Sequence, residues 1–179
     1  MKEISLDILR QKASKIKWFF CDIDGTLTDG GVYYSPEGEL LKRFSLRDGT
    51  GFFLLRQCGI KTGFITTENS PIVEQRAKKL KIDKYVFGTQ RKVESMNDFL
   101  ASEGLSMENV AFIGDELNDV KLLKACGLSF AVGDADHRAK ESADVICDHF
   151  GGHGAFREAV ERLLNLRDVN IDIIVEQSL

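Results

Sequence analysis

Near its N-terminus the chain reads Trp18-Phe19-Phe20-Cys21-Asp22-Ile23-Asp24-Gly25-Thr26. The apolar start of this stretch predicts a buried strand, and two carboxylates follow where that strand ends. An unpaired buried carboxylate is costly, so it normally takes up a proton or meets a cation. A divalent metal is the simplest cation that serves both carboxylates. The structural alternative is that Asp24-Gly25 forms a turn and Asp22 only ends the strand.

The size and composition of the chain predict one globular domain over residues 1–179. Hydrophobic residues make up 43% and charged residues 29%, as in ordinary globular proteins, and two prolines argue against long linkers. The net charge of -4 provides no basic field, which argues against nucleic acid as a partner. No run approaches the roughly 20 apolar residues that cross a bilayer, and the N-terminus, Met1 to Ser5, lacks a signal-peptide core. We therefore expect a cytoplasmic protein without membrane contact.

The four cysteines form no Cys-x-x-Cys pair, and each lies in or beside an apolar stretch. A small buried thiol fits such positions, so we expect reduced core residues. They are Cys21, Cys58, Cys126 and Cys147.

Apolar runs and helical patterns alternate along most of the chain, which is typical of a doubly wound α/β fold with a mainly parallel, Rossmann-like sheet. The continuous apolar character of the runs indicates strands buried on both faces. The predicted strands are 17–21, 61–66, 85–87, 110–114, 128–132 and 144–147. The predicted helices are 6–16, 51–58, 71–80, 93–102, 117–125, 136–142 and 155–164.

Two segments depart from this alternation. The first, at about 31–44, predicts a β-hairpin that turns at Ser35-Pro36-Glu37-Gly38. Because an isolated hairpin is marginally stable and exposes its edges, it should lean on the domain or pair with copies of itself. The second is the tail at about 165–179, which is too apolar for a solvated extension and is expected to dock on a neighbouring chain.

Further polar residues follow other predicted strands. Thr66 ends one strand, and Asp115 follows Gly114 at the end of another. Lys92 opens a helix, where a cation is unfavourable with respect to the helix dipole. In an open parallel sheet, ligands bind outside the carboxyl ends of the strands, so Asp22 and Asp115 could share an Mg²⁺ ion. The structural alternative is helix capping, by Thr67 after the first of these strands and by Asn118 and Asp119 after the other.

Taken in order, these residues resemble the four motifs of the haloacid dehalogenase superfamily phosphatases. The residues that carry the resemblance are Asp22-x-Asp24, Thr66, Lys92, and Gly114-Asp115 with Asp119. The match spans most of the chain. In-line phosphoryl transfer needs a positioned nucleophile, cationic charge on the phosphoryl oxygens and a proton for the leaving group, and these residue types can supply all three.

The resemblance implies a role for each motif residue. Asp22 would attack phosphorus and form an aspartyl-phosphate, while Asp24 would protonate the leaving alcohol and then activate water. Thr66 and Lys92 would hold phosphoryl oxygens. The Mg²⁺ ligands would be Asp22, Asp115 and the backbone carbonyl of Asp24. The remaining acidic residue of the motifs, Asp119, would orient this metal shell.

The spacing of the motifs leaves no stretch long enough for a separate cap domain. Together with the hairpin, Asp29-Gly30, residues 44–51 and the glycine-rich residues 151–158 resemble the capless phosphatases of 3-deoxy-D-manno-octulosonate 8-phosphate (KDO 8-phosphate). That resemblance implies an enzyme of lipopolysaccharide biosynthesis, a homotetramer built by the hairpins, and a tail that reaches a neighbouring active site. It also implies substrate binding by Arg47, Asp48 and Gly49.

Several positions depart from the KDO 8-phosphate pattern. Glu68 in Thr66-Thr67-Glu68 stands where that family has an arginine, and His153 also stands where an arginine is common. Glu68, with Arg76 and Lys79, instead resembles the phosphatases of nonulosonate 9-phosphates of the sialic acid and KDN type. The structural alternative for these three residues is an ordinary charged helix face. Glu116 replaces a more usual aspartate and keeps the carboxylate.

These observations predict an Mg²⁺-dependent phosphatase of a 2-keto-3-deoxy sugar acid phosphate. KDO 8-phosphate is the first candidate substrate, and a nonulosonate 9-phosphate is the alternative. A phospho-receiver switch also places acidic residues, a threonine and a lysine around Mg²⁺, but its phosphoacceptor comes from a middle strand and no general acid follows it. A non-catalytic domain that accompanies sugar-acid cytidylyltransferases is a further alternative, against which the intact Asp22 and Asp24 argue.

Overall fold

A computed structural model describes residues 4–178. The predictions for Met1 to Glu3 and for the last tail residue, Leu179, lie outside the described residues. The strands are β1 (Trp18–Cys21), β2 (Thr28–Ser35), β3 (Gly38–Phe44), β4 (Lys61–Ile65), β5 (Lys84–Val86), β6 (Val110–Gly114), β7 (Leu128–Ala131) and β8 (Val145–Ile146). The helices are α1 (Leu6–Ser14), α2 (Leu46–Gln57), α3 (Pro71–Leu80), α4 (Lys92–Ser102), α5 (Val120–Ala125), α6 (His137–Ser142), α7 (Ala155–Leu166) and α8 (Ile171–Ser178), with a short 3₁₀ turn at Met107–Asn109.

Six strands form one parallel sheet in the order β5-β4-β1-β6-β7-β8, and β2 and β3 form a separate antiparallel hairpin. The chain therefore starts in the middle of the sheet and winds outward in both directions, which confirms the doubly wound α/β prediction. β1 lies between β4 and β6, and Cys21 pairs with Phe64 on one side and with Ile113 on the other. The carboxyl ends of these three strands are consequently level with one another.

Aromatic side chains fill the core on both faces of the sheet. Phe19 contacts Phe130 and Phe156, with ring centroids 5.7 and 5.2 Å away. Phe156 of α7 also stacks on Phe52 of α2 at 4.1 Å. Every residue of β1 is buried. The apolar runs of β1, β4, β6 and β7 were thus correctly interpreted as strands covered on both sides, whereas the edge strands β5 and β8 are only partly buried.

Most predicted boundaries agree with the structure to within two residues, but α2 begins at Leu46 instead of residue 51. Ser45 caps this helix by accepting a hydrogen bond from the Asp48 N–H (3.4 Å). Gly49 and Gly51 lie inside this helix, and the glycine at position 51 has a packing reason. A Cβ on Gly51 would come within 2.9 Å of the Phe156 ring, so glycine allows α2 to lie close to α7.

Two other boundaries differ from the predictions. The hairpin begins at Thr28, three residues before the predicted position. The helix predicted from residue 117 begins at Val120, because residues 116–119 form a turn that the Asp119 side chain holds.

The apolar tail finds part of its contact surface in its own chain. α8 packs on α2, and Ile171 and Ile174 lie against the core. Ile173 and Val175 remain about half exposed. Docking on a neighbouring chain stays a prediction for this exposed part alone.

The cysteines and the helix lengths also bear on the sequence predictions. All four cysteines are free thiols, and three of them are buried. Within residues 4–178, each helix is too short or too polar to cross a bilayer.

We predict that Gly63→Ala lowers the free energy of unfolding by about 1–3 kcal/mol. A Cβ on Gly63, in the middle of β4, would overlap the ring of Phe20 on the neighbouring strand. Urea denaturation measures the change. The matched control is Gly31→Ala on the exposed strand β2, where the effect should stay within about 0.5 kcal/mol. Equal stability of the two variants would contradict the packing argument.

Candidate active site

The carboxyl ends of the three central strands bring the predicted motif residues together. Asp22 directly follows β1, Thr66 follows β4 and Asp115 follows β6. Lys92 is the first residue of α4, and its side chain reaches under the end of β1. Residues up to 93 positions apart in the sequence thus share one site, as the strand-end argument predicts.

Lys92 joins two carboxylates. Its ammonium group donates to Asp22 Oδ1 and to Asp119 Oδ1, both at 2.7 Å. All three side chains are at most 5% exposed. The other oxygen of Asp119 accepts the backbone N–H of Asp115 (3.0 Å) and of Glu116 (3.4 Å). Asp119 therefore fixes both Lys92 and the turn that carries Asp115.

Asp115 is held by the loop that follows β1. The Thr26 hydroxyl donates to Asp115 Oδ1 at 2.7 Å. Gly25 has a φ of +86°, and a Cβ there would overlap Asp115 Oδ2. Glycine at this position permits both the left-handed turn and the close approach of the carboxylate.

The carboxylates of this cluster outnumber its one ammonium group. Burial raises the pKa of Asp22 well above its usual value, with a further increase from Asp119 that Lys92 opposes in part. Burial also raises the pKa of Asp115 to about 7. Burial lowers the pKa of Lys92, but Asp22 and Asp119 outweigh it and raise that pKa, so the ammonium stays charged. When all are ionised, three carboxylates face one ammonium.

The carboxylates of this cluster are close enough to share a metal ion. Asp22, Asp115 and Asp119 each offer an oxygen, and these oxygens lie within 4.8 Å of one another. Carboxylate oxygens are the ligands that Mg²⁺ prefers, and the excess of negative charge favours a divalent cation. The donor set therefore fits Mg²⁺.

Asp24 lies at the edge of the cluster and contacts the hairpin. Its Oδ1 accepts a hydrogen bond from the Lys42 ammonium at 2.6 Å. Its Oδ2 is buried and has no hydrogen-bond partner within residues 4–178. Sequence reasoning missed Lys42, because Leu40 and Leu41 are exposed on β3 whereas the Lys42 side chain is only 1% exposed. Hydropathy predicts the opposite, with the leucines buried and the lysine exposed.

A cavity of about 220 Å³ lies between the strand ends and the hairpin. Two groups of residues line it. The strand ends and the segments after them contribute Asp22, Asp24, Thr66, Thr67, Glu68, Glu116 and Asn118. The hairpin contributes Val32, Tyr34, Glu39 and Lys42. Thr66 is buried, and its Oγ1 accepts the N–H of Glu68 at 3.1 Å. A small polar ligand in this cavity would meet both predicted catalytic aspartates.

Of the six predicted substrate-binding residues, only Glu68 lines this cavity. Asp48 is buried and caps α7, since its carboxylate accepts the N–H groups of Gly154 (3.2 Å) and Arg157 (3.0 Å). Arg47 is exposed, and its side chain lies against Gly154.

The other three predicted substrate-binding residues line a second cavity, of about 330 Å³, beside α8. They are Gly49, Arg76 and Lys79. Arg76 donates to the Ser45 carbonyl (3.1 Å) and lies over the Phe44 ring. In a single chain, these residues and the predicted catalytic aspartates line different cavities.

The two other departures from the KDO 8-phosphate pattern also have defined positions. Glu116 lines the cavity beside Asp22, and its Oε1 accepts the N–H of Leu117 at 2.7 Å. His153 lies 3.3 Å from Arg43 and 2.8 Å from the Gly151 carbonyl. His153 is thus occupied by the contact between the hairpin and the glycine-rich loop.

Comparison with known proteins matches residues 59–157 to the haloacid dehalogenase-like hydrolase family. The 3-deoxy-D-manno-octulosonate 8-phosphate phosphatase KdsC of Haemophilus influenzae is 36% identical over 156 residues, which cover 87% of each chain. The cobalt-bound structure of the Haemophilus influenzae phosphatase has a TM-score of 0.84 at 36% identity and covers 88% of this chain and 92% of its own. The Moraxella catarrhalis phosphatase, solved with a magnesium ion, a phosphate ion and KDO, has a TM-score of 0.91 at 32% identity and covers 98% of this chain and 100% of its own.

We predict that Lys92→Met lowers the free energy of unfolding by about 3–5 kcal/mol in EDTA at pH 8, because the buried carboxylates lose their ammonium partner. The loss should shrink at pH 5, where carboxylates whose pKa is raised are protonated. Urea denaturation at both pH values measures it.

The control for this prediction is Lys61→Met, which removes an exposed ion pair with Glu103 at 3.6 Å. That change should cost less than about 1 kcal/mol at either pH. A loss in Lys92→Met that is small, or that does not depend on pH, would contradict the assigned electrostatics.

Proposed function

The chain belongs to the haloacid dehalogenase-like hydrolases, and on that premise we propose that it hydrolyses the phosphate ester of KDO 8-phosphate. The observation that carries the proposal is the convergence of Asp22, Lys92 and Asp115 at the ends of the central strands. This cluster opens into a cavity that also contains Asp24 and Thr66. The similarity to KDO 8-phosphate phosphatases over nearly the whole chain supports this choice of substrate.

In the proposed reaction, a carboxylate oxygen of Asp22 attacks phosphorus while the bond from phosphorus to the sugar oxygen breaks. Asp24 gives a proton to that oxygen, so the sugar leaves as an alcohol. Asp24 then takes a proton from water, which attacks the aspartyl-phosphate and releases phosphate. Lys92 holds one oxygen of Asp22. Together with Thr66 it would bind the phosphoryl oxygens.

Mg²⁺ would be held by Asp22, Asp115 and the backbone carbonyl of Asp24. Asp119 would position Asp115 through the N–H groups that it accepts. When bound, Mg²⁺ supplies positive charge that offsets the carboxylates and the phosphoryl group. The raised pKa values of Asp22 and Asp115 support this assignment, because burial disfavours the charged form of both carboxyls and a bound cation would offset that cost.

A second candidate substrate is a nonulosonate 9-phosphate. The observation that favours it is Glu68, which lines the cavity where KDO 8-phosphate phosphatases have an arginine. An anionic side chain at this position would accept hydrogen bonds from hydroxyl groups of the bound sugar.

The assembly that we propose is a homotetramer formed through the hairpins, acting in the cytoplasm. Tyr33 and Leu41 face each other across β2 and β3 and are about 60% exposed. Exposed apolar side chains on a hairpin with open edges favour pairing with another copy. The four free thiols favour a reducing compartment.

We predict that the purified protein with Mg²⁺ releases phosphate from KDO 8-phosphate and that EDTA abolishes the release. Asp22→Asn should lower the rate by about 10³-fold or more, since it removes the nucleophile. A colorimetric phosphate assay measures the rate.

The matched control for this assay is Asp98→Asn, which changes an exposed aspartate on α4 and should leave the rate unchanged. Release from a nonulosonate 9-phosphate alone would favour the second candidate. If neither ester is hydrolysed, the proposal is wrong.

We predict a solution mass of four times the 20.0 kDa of one chain. Replacing Tyr33 and Leu41 together by glutamate should give smaller species, because like charges would meet at the pairing surface. Light scattering after size exclusion measures the mass. Ile8→Glu, at an exposed apolar position on α1, should keep the mass of the wild type. A monomeric wild-type protein would exclude this assembly.

A further inference from the structure

Lys42, to which the sequence analysis assigned no role, has a side chain that is only 1% exposed. It lies on β3, and its ammonium contacts Asp24 Oδ1 at 2.6 Å and Glu39 Oε2 at 3.0 Å. Its side chain is less exposed than either carboxylate partner. A lysine is rarely buried in this way unless its charge is paired, and here two carboxylates pair it.

The contacts of Lys42 continue to the start of α3. Glu39 uses its other oxygen to accept a hydrogen bond from the Ser70 hydroxyl at 2.8 Å. Ser70 is the N-cap residue of α3, yet its side chain makes no capping hydrogen bond. Asp24, Lys42, Glu39 and Ser70 therefore form one chain of contacts across the loop after β1, the hairpin and α3.

The two oxygens of Asp24 are in different situations. Oδ1 is held by Lys42. Oδ2 is buried without a hydrogen-bond partner within the described part of the chain. A buried oxygen without a hydrogen-bond partner costs free energy, so it indicates a position where a bound group would donate a hydrogen bond to it. Because Lys42 fixes one oxygen, the carboxylate cannot rotate freely to present the other.

We propose that Lys42 is a positioning residue for the proton transfer by Asp24. It holds Oδ1, so that Oδ2 carries the proton to the leaving oxygen of the sugar and later accepts a proton from water. The proposal rests on the proposed phosphatase function and adds a role for the hairpin in it. Glu39, which Ser70 holds in turn, gives the Lys42 ammonium its second contact.

This role predicts a dependence on the leaving group. A sugar alkoxide is a strong base and needs a proton as the ester bond breaks, whereas 4-nitrophenolate is a weak base and leaves without one. A residue that only positions Asp24 therefore matters for the sugar ester and little for 4-nitrophenyl phosphate. A residue that only supports folding affects both esters alike.

The experiment measures kcat/KM for KDO 8-phosphate and for 4-nitrophenyl phosphate in one preparation of each variant, with Mg²⁺. If KDO 8-phosphate is not hydrolysed, the nonulosonate 9-phosphate takes its place. In Lys42→Met, the ratio of the sugar ester to the aryl ester should fall by about 10-fold or more. Asp24→Asn should shift the ratio in the same direction and further. Partial unfolding lowers both rates equally and leaves the ratio unchanged.

The control is Arg43→Met on the same strand. Arg43 contacts Asp29 and the Gly152 carbonyl but not Asp24. It should keep the wild-type ratio within about 2-fold, because it leaves the Lys42 to Asp24 contact in place. If the wild type is active and Lys42→Met keeps the wild-type ratio of the two kcat/KM values, the role of Lys42 is wrong and the proposed function still stands. A wild type that hydrolyses no phosphate ester would overturn the proposed function, and the role of Lys42 with it.

Discussion

The interaction on which the rest of the structure depends is the meeting of three carboxylates, two of them buried, beside one buried ammonium group. Asp22, Asp115 and Asp119 converge on Lys92 or on one another at the ends of the central strands. Such a cluster is stable only if the surrounding backbone holds each carboxylate in a fixed position. Two glycines meet that need, since a Cβ on Gly25 would overlap Asp115, and a Cβ on Gly114 would overlap Asp119.

The hairpin contacts the candidate site with some of its side chains and exposes others to solvent. Its strand β3 exposes Leu40 and Leu41 and buries the charged end of Lys42 beside Asp24. An apolar exterior and a charged interior are the reverse of what an independent hairpin would show. The same seven-residue strand therefore carries a surface suited to association and a contact with the site. Under the proposed assembly, the pairing of chains and the contact with Asp24 would involve the same strand.

The strand ends could be predicted from the sequence because two independent signals coincide there: an apolar run and an abrupt acidic residue. Asp22 and Asp115 both show this pattern, and the structure brings them together. The start of α2 could not be predicted, since Gly51 resembles a helix breaker until its contact with Phe156 is known. Lys42 was missed for a similar reason. Its burial depends on partners from the loop after β1 and from its own strand, and no local pattern encodes them.

The charges that line the cavity limit how a sugar acid could be recognised. Among the lining residues of the described chain, Lys42 is the only cation, and Asp24 and Glu39 already neutralise it. Lys92 lies deeper and is likewise held by two carboxylates. The phosphate can meet Mg²⁺, but the carboxylate of a sugar acid would face Glu68 and Glu116 without a free cation. Under the proposed function, that cation has to come from outside this lining, and under the proposed assembly a neighbouring chain would be one source of it.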